Sequence, residues 1–192
     1  MGRRGVTSRG ADLVRDWLRA AERRMDMLEA LADLDLPDAW IAAGAVRNAV
    51  WDRLHEYQTS TPLADVDVIW FDPGRASRGL DAELEHRLGQ RLAGVTWSVK
   101  NQARMHRRNG DLPYRDCLDA MGGWPETATG IAARVGPRGA IELSAAFGFD
   151  DLLLLQLRPT PRFAADPAFR KRVESKRWLA LWPKLRLVGP RA

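Results

Sequence analysis

Residues 65–72 read Asp65-Val66-Asp67-Val68-Ile69-Trp70-Phe71-Asp72, an apolar run that carries two carboxylates one residue apart. The run predicts a strand, and because alternate side chains of a strand share a face, the first two aspartates should stand about 6 to 7 Å apart. Like charges at this spacing repel unless a cation lies between them or one pKa is raised. The pattern favours a divalent-metal site; the alternative is a strand end whose aspartates only face water.

A strand, a tight turn and a helix are predicted just upstream. Residues 39–48 pass from an apolar run through small residues into a helical pattern, in which Val46, Val50 and Leu54 form one buried stripe. The small residues at 43–45 let a ligand approach the backbone, and the amides that open a helix attract anions. The turn therefore predicts a phosphate site; the alternative is an ordinary strand-to-helix connection.

Together the two segments resemble the nucleotidyltransferases of the DNA polymerase β superfamily, which pair a small-residue turn at a helix start with an Asp-x-Asp strand. Residues 43–48 are similar to the Gly-Gly-x-Val-Arg-Asp motif of the branch that contains CCA-adding enzymes and poly(A) polymerases. Ala43 stands where that motif has its first glycine, and Asn48 stands where it has an aspartate.

A closer resemblance, to a bacterial family of nucleotidyltransferase-like proteins, covers nearly the whole chain. The matching runs are residues 44–52, 61–68, 97–106, 124–129 and 147–152, in this order. The family name rests on fold and motif, so the resemblance implies a reaction class and no named acceptor.

The resemblance implies an α/β (α+β) fold of the polymerase β type, with a small mixed β-sheet flanked by helices. The implied reaction is the transfer of a nucleoside monophosphate from a nucleoside triphosphate to an acceptor hydroxyl, with release of pyrophosphate. Asp65 and Asp67 would hold two magnesium ions, since magnesium takes a few carboxylates together with phosphate oxygens and water. The acceptor is a small molecule, a protein or RNA.

A third carboxylate is expected, because two-metal phosphoryl chemistry usually needs another acid for the metal that activates the attacking hydroxyl. In the superfamily this acid lies on a neighbouring strand between apolar residues. Glu142, in Ile141-Glu142-Leu143, is the downstream match. The alternative is an exposed glutamate on an edge strand. Asp72 is a poorer candidate, since beside Pro73 it is expected to cap a turn.

The expected nucleotide-binding residues are Gly44, Ala45, Arg47, Asn48, Lys100, Asn101 and Arg104. Gly44 and its neighbours would cradle the β and γ phosphates, while Arg47 or Lys100 would offset charge that develops during transfer. Asn101 and Gln102 would contact the base or ribose. The alternative for residues 100–106 is a solvated strand end in which Asn101 makes turn hydrogen bonds.

Composition agrees with a compact enzyme domain of ordinary polarity. The 192 residues are 45% hydrophobic and 29% charged, which predicts one domain over residues 11–190 after a disordered segment at 1–10, rich in Gly and Arg. The lone Cys117 excludes an intramolecular disulfide and suits the cytoplasm. No apolar run approaches transmembrane length, so no membrane partner is expected. A net charge of +5 favours anionic partners.

Periodicity and turn signals predict the remaining elements. They indicate helices over residues 12–34, 80–92, 126–135 and 167–181, strands over 95–100 and 140–145, and a short buried helix or strand over 150–157. Two alternative functions remain open at this point. One is a catalytically weak nucleotide-binding regulatory module, and the other is a basic RNA-binding protein with structural aspartates.

Overall fold

The computed structural model describes residues 3–190, and side chains from residue 9 onward. The helices are α1 Arg3–Arg19, α2 Glu22–Ala32, α3 Gly44–Leu54, α4 Arg78–Arg91, α5 Met105–Asn109, α6 Cys117–Gly122, α7 Asp150–Leu153, α8 Pro167–Ser175 and α9 Trp178–Leu181. Single 3-10 turns lie at Pro73–Arg75, Gln102–Arg104, Thr127–Thr129 and Pro161–Phe163. The strands are β1 Trp40–Ala42, β2 Val66–Trp70, β3 Trp97–Asn101, β4 Ile131–Val135, β5 Ile141–Ala145, β6 Gln156–Leu157 and β7 Arg186–Leu187.

A five-stranded sheet with the order β3-β2-β1-β4-β5 organises the fold. Strands β2 and β3 run parallel, whereas β1 is antiparallel to both β2 and β4, and β4 is antiparallel to β5. The short strands β6 and β7 form a separate pair. The predicted mixed sheet flanked by helices is therefore confirmed.

The register gives the sheet two unlike faces. Asp67 of β2 pairs with Ala42 of β1 and Ser98 of β3, so these three side chains share a face. The opposite face carries Val68 and Val99, which are buried with apolar side chains of α1 to α4 in the main core. A smaller apolar cluster, which includes Cys117 and Met121 of α6, covers only part of the Asp67 face. The rest of that face borders a cavity.

The first helical segment differs from its prediction at both ends. Helix α1 begins at Arg3, within the segment expected to be disordered, while residues 1 and 2 lie outside the described residues. Gly10 lets α1 pack closely against α7, because a Cβ there would come within 2.9 Å of Leu153 Cδ1. The single helix predicted over 12–34 is wrong, since α1 ends at Arg19 and the non-helical Ala21 (ψ 85°) precedes α2.

Two further helix predictions fail. Residues 126–135 form a 3-10 turn followed by strand β4, because the small residues Ala132 and Ala133 pair closely with β1 and tertiary pairing overrides alanine's helix propensity. The C-terminal helix is divided into α8 and α9 by Arg177, which has a left-handed backbone (φ 52°). Within the described residues, no helix is both long enough and apolar enough to cross a bilayer.

Candidate active site

The turn between β1 and α3 has a strained backbone. Ala43 adopts φ 52° and ψ −120°, a conformation that favours glycine. Its amide donates to the carbonyl of Ile131 on β4 (2.9 Å), and its carbonyl accepts from the amide of Arg47 (2.8 Å). The turn is thereby fixed both to the sheet and to the helix. The predicted strand, tight turn and helix are present, and Ala43 faces the cavity described below.

The carboxylate of Asp67 is half-buried beside this turn, and Asp65 is exposed just before β2. Burial raises the pKa of Asp67 above its ordinary value, and the negative charge of Asp65 raises it further, while Arg47 and Arg172 oppose the shift. Among residues with described side chains, neither carboxylate has a hydrogen-bond or ion-pair partner. Two neighbouring carboxylates with free oxygens are suited to a cation.

A cavity of about 540 Å³ opens over the Asp67 face of the sheet. Four cationic side chains line it, namely Lys100, Arg108, Arg162 and Arg172. Trp124, Phe163 and Met105 supply apolar surface, and Asp67 and Ser98 lie on the sheet strands that border it. We call this space the nucleotide cavity after the ligand expected from the sequence; its cations and aromatic side chains would suit a polyphosphate joined to a planar base.

Arg47 does not line the cavity but contacts residues that position its lining. Its guanidinium is buried between the rings of Trp51 and Trp178, with centroid distances of 4.9 and 4.5 Å. It donates to Thr129 Oγ1 (3.0 Å) and Asn48 Oδ1 (2.9 Å). Burial lowers the pKa of Arg47 to about 10, with a smaller opposing effect from Glu126. Arg47 therefore stays charged at neutral pH. It joins α3 to Thr129, which lines the nucleotide cavity; we call this side of the cavity the Thr129 wall.

A buried ion pair extends this support. Glu126 is fully buried, and Arg172 Nε of α8 lies 2.8 Å from its Oε1. Arg172 also borders the cavity and stacks near Trp178, at 5.5 Å from the ring centroid. Sequence reasoning missed both residues. A signal for Glu126 was available in the sequence. It is the one charged residue of the run 124–129, which is one of the five runs that carried the resemblance.

Of the residues predicted to bind the nucleotide, only some lie at the cavity. Lys100 borders the cavity and pairs with Glu85 (2.9 Å). Asn101 is fully buried; its amide donates to the carbonyls of Asp72 and Arg75, so it holds a turn and is not available to a nucleotide. The turn hydrogen bonds weighed as its alternative role are thus present.

Arg104, Gly44, Ala45 and Asn48 also lie outside the lining of the nucleotide cavity. The guanidinium of Arg104 binds the carboxylate of Asp81. Gly44 opens α3 with room for a Cβ, since the nearest atom, Arg47 Nη2, is 3.7 Å away. The small residue that borders the cavity is therefore Ala43, one position earlier than expected.

Glu142 is not brought to the aspartate pair. It lies on β5, which is separated from β2 by β4 and β1, and its Oε2 accepts from Arg134 Nε (2.8 Å). Neighbouring strands are about 4.8 Å apart, so three strand spacings place it roughly 14 Å from β2. Within residues 9–190 no group of three His, Cys, Asp or Glu side chains is placed to hold a metal ion. The expectation that Glu142 is the third acid of the site is therefore corrected: Glu142 forms an ion pair with Arg134 at the surface.

Comparison with known proteins identifies the fold and the family. The family model described as Nucleotidyltransferase matches residues 29–187, which is most of the chain. The chain belongs to this nucleotidyltransferase family. Asp67, Ala43 and the cationic cavity all lie within the matched range.

A solved structure described as a CCA-adding enzyme head domain is similar over almost its full length. It is 31% identical, with a TM-score of 0.80, and the match covers 92% of this chain and 94% of that chain. Two larger structures share the fold at lower identity. They are a CCA-adding enzyme with CTP (12% identity, TM-score 0.58, 93% of this chain and 43% of that chain) and a tRNA-processing enzyme complex (17%, 0.54, 84% and 43%). This nucleotidyltransferase spans less than half of those two enzymes. A comparison with curated protein sequences found no match.

Proposed function

We propose that this nucleotidyltransferase binds a nucleoside triphosphate in the nucleotide cavity and transfers its nucleoside monophosphate to an acceptor hydroxyl. The observation that carries the proposal is the half-buried carboxylate of Asp67, which has no partner among the side chains of residues 9–190 and lies in a cavity with four cationic side chains. A structurally similar enzyme is described in complex with CTP and another with ATP, which supports a nucleotide substrate.

The reaction balances without an oxidant or reductant. The acceptor oxygen forms a bond to the α-phosphorus, the bond from that phosphorus to the bridging oxygen of the β-phosphate breaks, and pyrophosphate leaves. The hydroxyl proton passes to water. Arg172 and Lys100 would hold the phosphates in place, and their positive charge would stabilise the negative charge that grows on the leaving pyrophosphate.

The donor set fits magnesium. Asp65 and Asp67 offer carboxylate oxygens without protein partners among the residues with described side chains, and a triphosphate would complete an all-oxygen set. When bound, magnesium neutralises charge on the phosphate oxygens. The expectation of a second ion depends on a third acid, which residues 9–190 do not supply near this pair. The chain's own groups therefore support one ion, held by the two aspartates.

The apolar side of the cavity suits the base. Trp124 and Phe163 line the cavity, and Trp124 is anchored through its own carbonyl, which accepts from Thr160 Oγ1 (2.7 Å). A nucleobase packed against such a ring gains about 1 to 3 kcal/mol in other proteins that stack bases. This wall would orient the α-phosphate towards Asp67.

Pyrophosphate release tests the proposal. The protein is incubated with each of the four ribonucleoside triphosphates and magnesium, and pyrophosphate is measured for the wild type, Asp67→Asn and the exposed control Asp35→Asn. We expect release from the wild type and the control, and none from Asp67→Asn. Equal release from Asp67→Asn would remove Asp67 from the reaction.

A second candidate function is a nucleotide-binding module without turnover. The observation that favours it is Ser98, which occupies the strand position beside Asp67 where an acid would complete the metal site. The same experiment separates the two functions when calorimetry is added. The module would bind triphosphate with magnesium and release no pyrophosphate.

A further inference from the structure

A second cavity, of about 830 Å³, lies at the free edge of β3. We call it the β3-edge groove. It is lined by α4, which contributes Arg78 and Glu85, and by α5, which contributes Arg107 and Arg108. Its volume is within the range of ligand-binding pockets, so it is large enough for a small molecule or a short stretch of a polymer.

The groove is strongly cationic. Five cationic side chains line it against two carboxylates, which leaves a formal charge of +3. Both carboxylates are already occupied: Asp81 binds Arg104 and accepts from Trp70 Nε1 (2.9 Å), and Glu85 binds Lys100. Their negative charge is therefore not available to neutralise the remaining arginines.

Three guanidinium groups in the groove are unengaged. Among residues with described side chains, Arg78, Arg107 and Arg108 have no hydrogen-bond or ion-pair partner, and all three are exposed. Three like charges around one depression repel each other, and an anion bound between them would relieve that repulsion. Guanidinium groups present paired donors that match phosphate oxygens.

The β3-edge groove adjoins the nucleotide cavity. Lys100 and Arg108 line both spaces. Helix α5 contributes to both, since Met105 lines the nucleotide cavity and Arg107 lines the groove. Lys100 lies one strand over and two residues along from Asp67, about 8 Å away between Cα atoms. A molecule in the groove is thus within reach of the site of transfer.

We propose that the β3-edge groove binds a phosphate group of the acceptor whose hydroxyl receives the nucleotide. This inference rests on the proposed function and names the acceptor's chemical class: it is phosphorylated. None of the side chains that line the groove is aromatic. Recognition there depends on the phosphate and not on base stacking, and a phosphate ester of a sugar and a phosphodiester of an RNA strand both carry that chemistry.

The test uses two double variants that remove the same charge. Arg78→Gln/Arg107→Gln changes only the groove, whereas Arg87→Gln/Arg138→Gln removes two exposed arginines that line neither cavity. The probes are a fluorescein-labelled single-stranded octaribonucleotide, ribose 5-phosphate, and ribose as the unphosphorylated control. Magnesium–ATP affinity is measured in parallel for every protein.

We expect the groove variant to lose about tenfold in affinity for at least one phosphorylated probe, because two charge-assisted hydrogen bonds are removed. The control variant and ATP affinity should each stay within about twofold of wild type. For the RNA probe, the slope of log affinity against log salt should become shallower by about 0.7 for each lost phosphate contact. Loss for RNA alone identifies a phosphodiester acceptor, and loss for ribose 5-phosphate alone identifies a small phosphomonoester.

Three results would overturn the inference. They are equal losses in the two double variants, which would show an effect of net charge only; unchanged affinity in the groove variant; and no binding of either phosphorylated probe to the wild type at millimolar concentration. Failure of the wild type to bind any of the four ribonucleoside triphosphates with magnesium would overturn the proposed function instead. The comparison of the two double variants with the phosphorylated probes would still decide whether the groove binds phosphate.

Discussion

Ser98 of β3 stands directly opposite Asp67 of β2, and both side chains lie on the sheet face that borders the nucleotide cavity. Their Cα atoms are about 4.8 Å apart, the spacing of neighbouring strands. This is the position from which a third carboxylate would share a cation with Asp67. A serine there leaves the aspartate pair without a close acidic neighbour.

Ser98→Asp should therefore tighten magnesium binding about tenfold, because a third anionic oxygen joins the pair. Without metal, the added repulsion should lower the free energy of unfolding by about 1 kcal/mol. Ser144→Asp is the matched control, since Ser144 lies on the same face and in the same row of the sheet, but on β5. Calorimetric titration of magnesium checks the prediction, and equal tightening in both variants would contradict it.

Asp67→Asn should raise the stability of the metal-free protein at neutral pH. The pKa of Asp67 is raised in the folded state, so the folded protein keeps this proton at pH values where the unfolded chain has lost it. Stability then falls as pH rises from about 4, the ordinary value for Asp, through the raised pKa. The asparagine variant avoids that cost, and its advantage should disappear near pH 4. Urea unfolding across this range measures it; an advantage that does not change with pH would have another cause.

Ala43→Gly should stabilise the fold by about 1 kcal/mol. The left-handed backbone of Ala43 costs about 1 to 3 kcal/mol, and glycine removes this cost. Glycine also has more freedom in the unfolded chain, and this entropic penalty cancels only part of the gain in stability. Ala45→Gly, two residues later in α3, should instead destabilise by about 1 kcal/mol, because it weakens a helix. Thermal unfolding of both variants gives the answer, and a loss of stability in Ala43→Gly would show that the turn is not strained.

Glu126→Gln should cost about 2 kcal/mol of stability, because it leaves buried Arg47 and half-buried Arg172 without their negative neighbour. The surface pair of Glu142 with Arg134 is the comparison, and Glu142→Gln should change stability by no more than about 0.5 kcal/mol. Denaturant unfolding measures both. Similar costs for the two glutamates would mean that burial does not set the strength of the Glu126 pair.

The turn and the aspartate strand could be predicted from sequence because their signals are local. Val46, Val50 and Leu54 mark one helix by their spacing, and alternation marks β2. The observed roles of Asn101 and Glu142 were predicted only as alternatives, and the sequence could not decide between them and a place in the site. Asp72, the partner of Asn101, lies 29 residues away and is brought near by packing. The pair of Glu142 with Arg134, in contrast, depends on the register of the neighbouring strands β4 and β5.

The helix predicted over residues 126–135 failed for a related reason. Alanines at 132 and 133 favour a helix by intrinsic propensity, but pairing with both β1 and β5 decides their conformation. The same segment contains Glu126, whose cation comes from α8. Its function in the site could not be inferred until the fold brought α8 beside it.

The Glu126–Arg172 pair predicts an order in which the site should form during synthesis. Synthesis delivers the aspartate strand, the turn and Glu126 well before Arg172 emerges. Until α8 docks, Glu126 lacks Arg172 and has only Arg47 as a counter-charge. Its burial, and with it the Thr129 wall of the cavity, should then be less stable. Nascent chains stalled before residue 172 should therefore hold the sheet without a competent nucleotide cavity, and nucleotide binding should appear only as α8 is released.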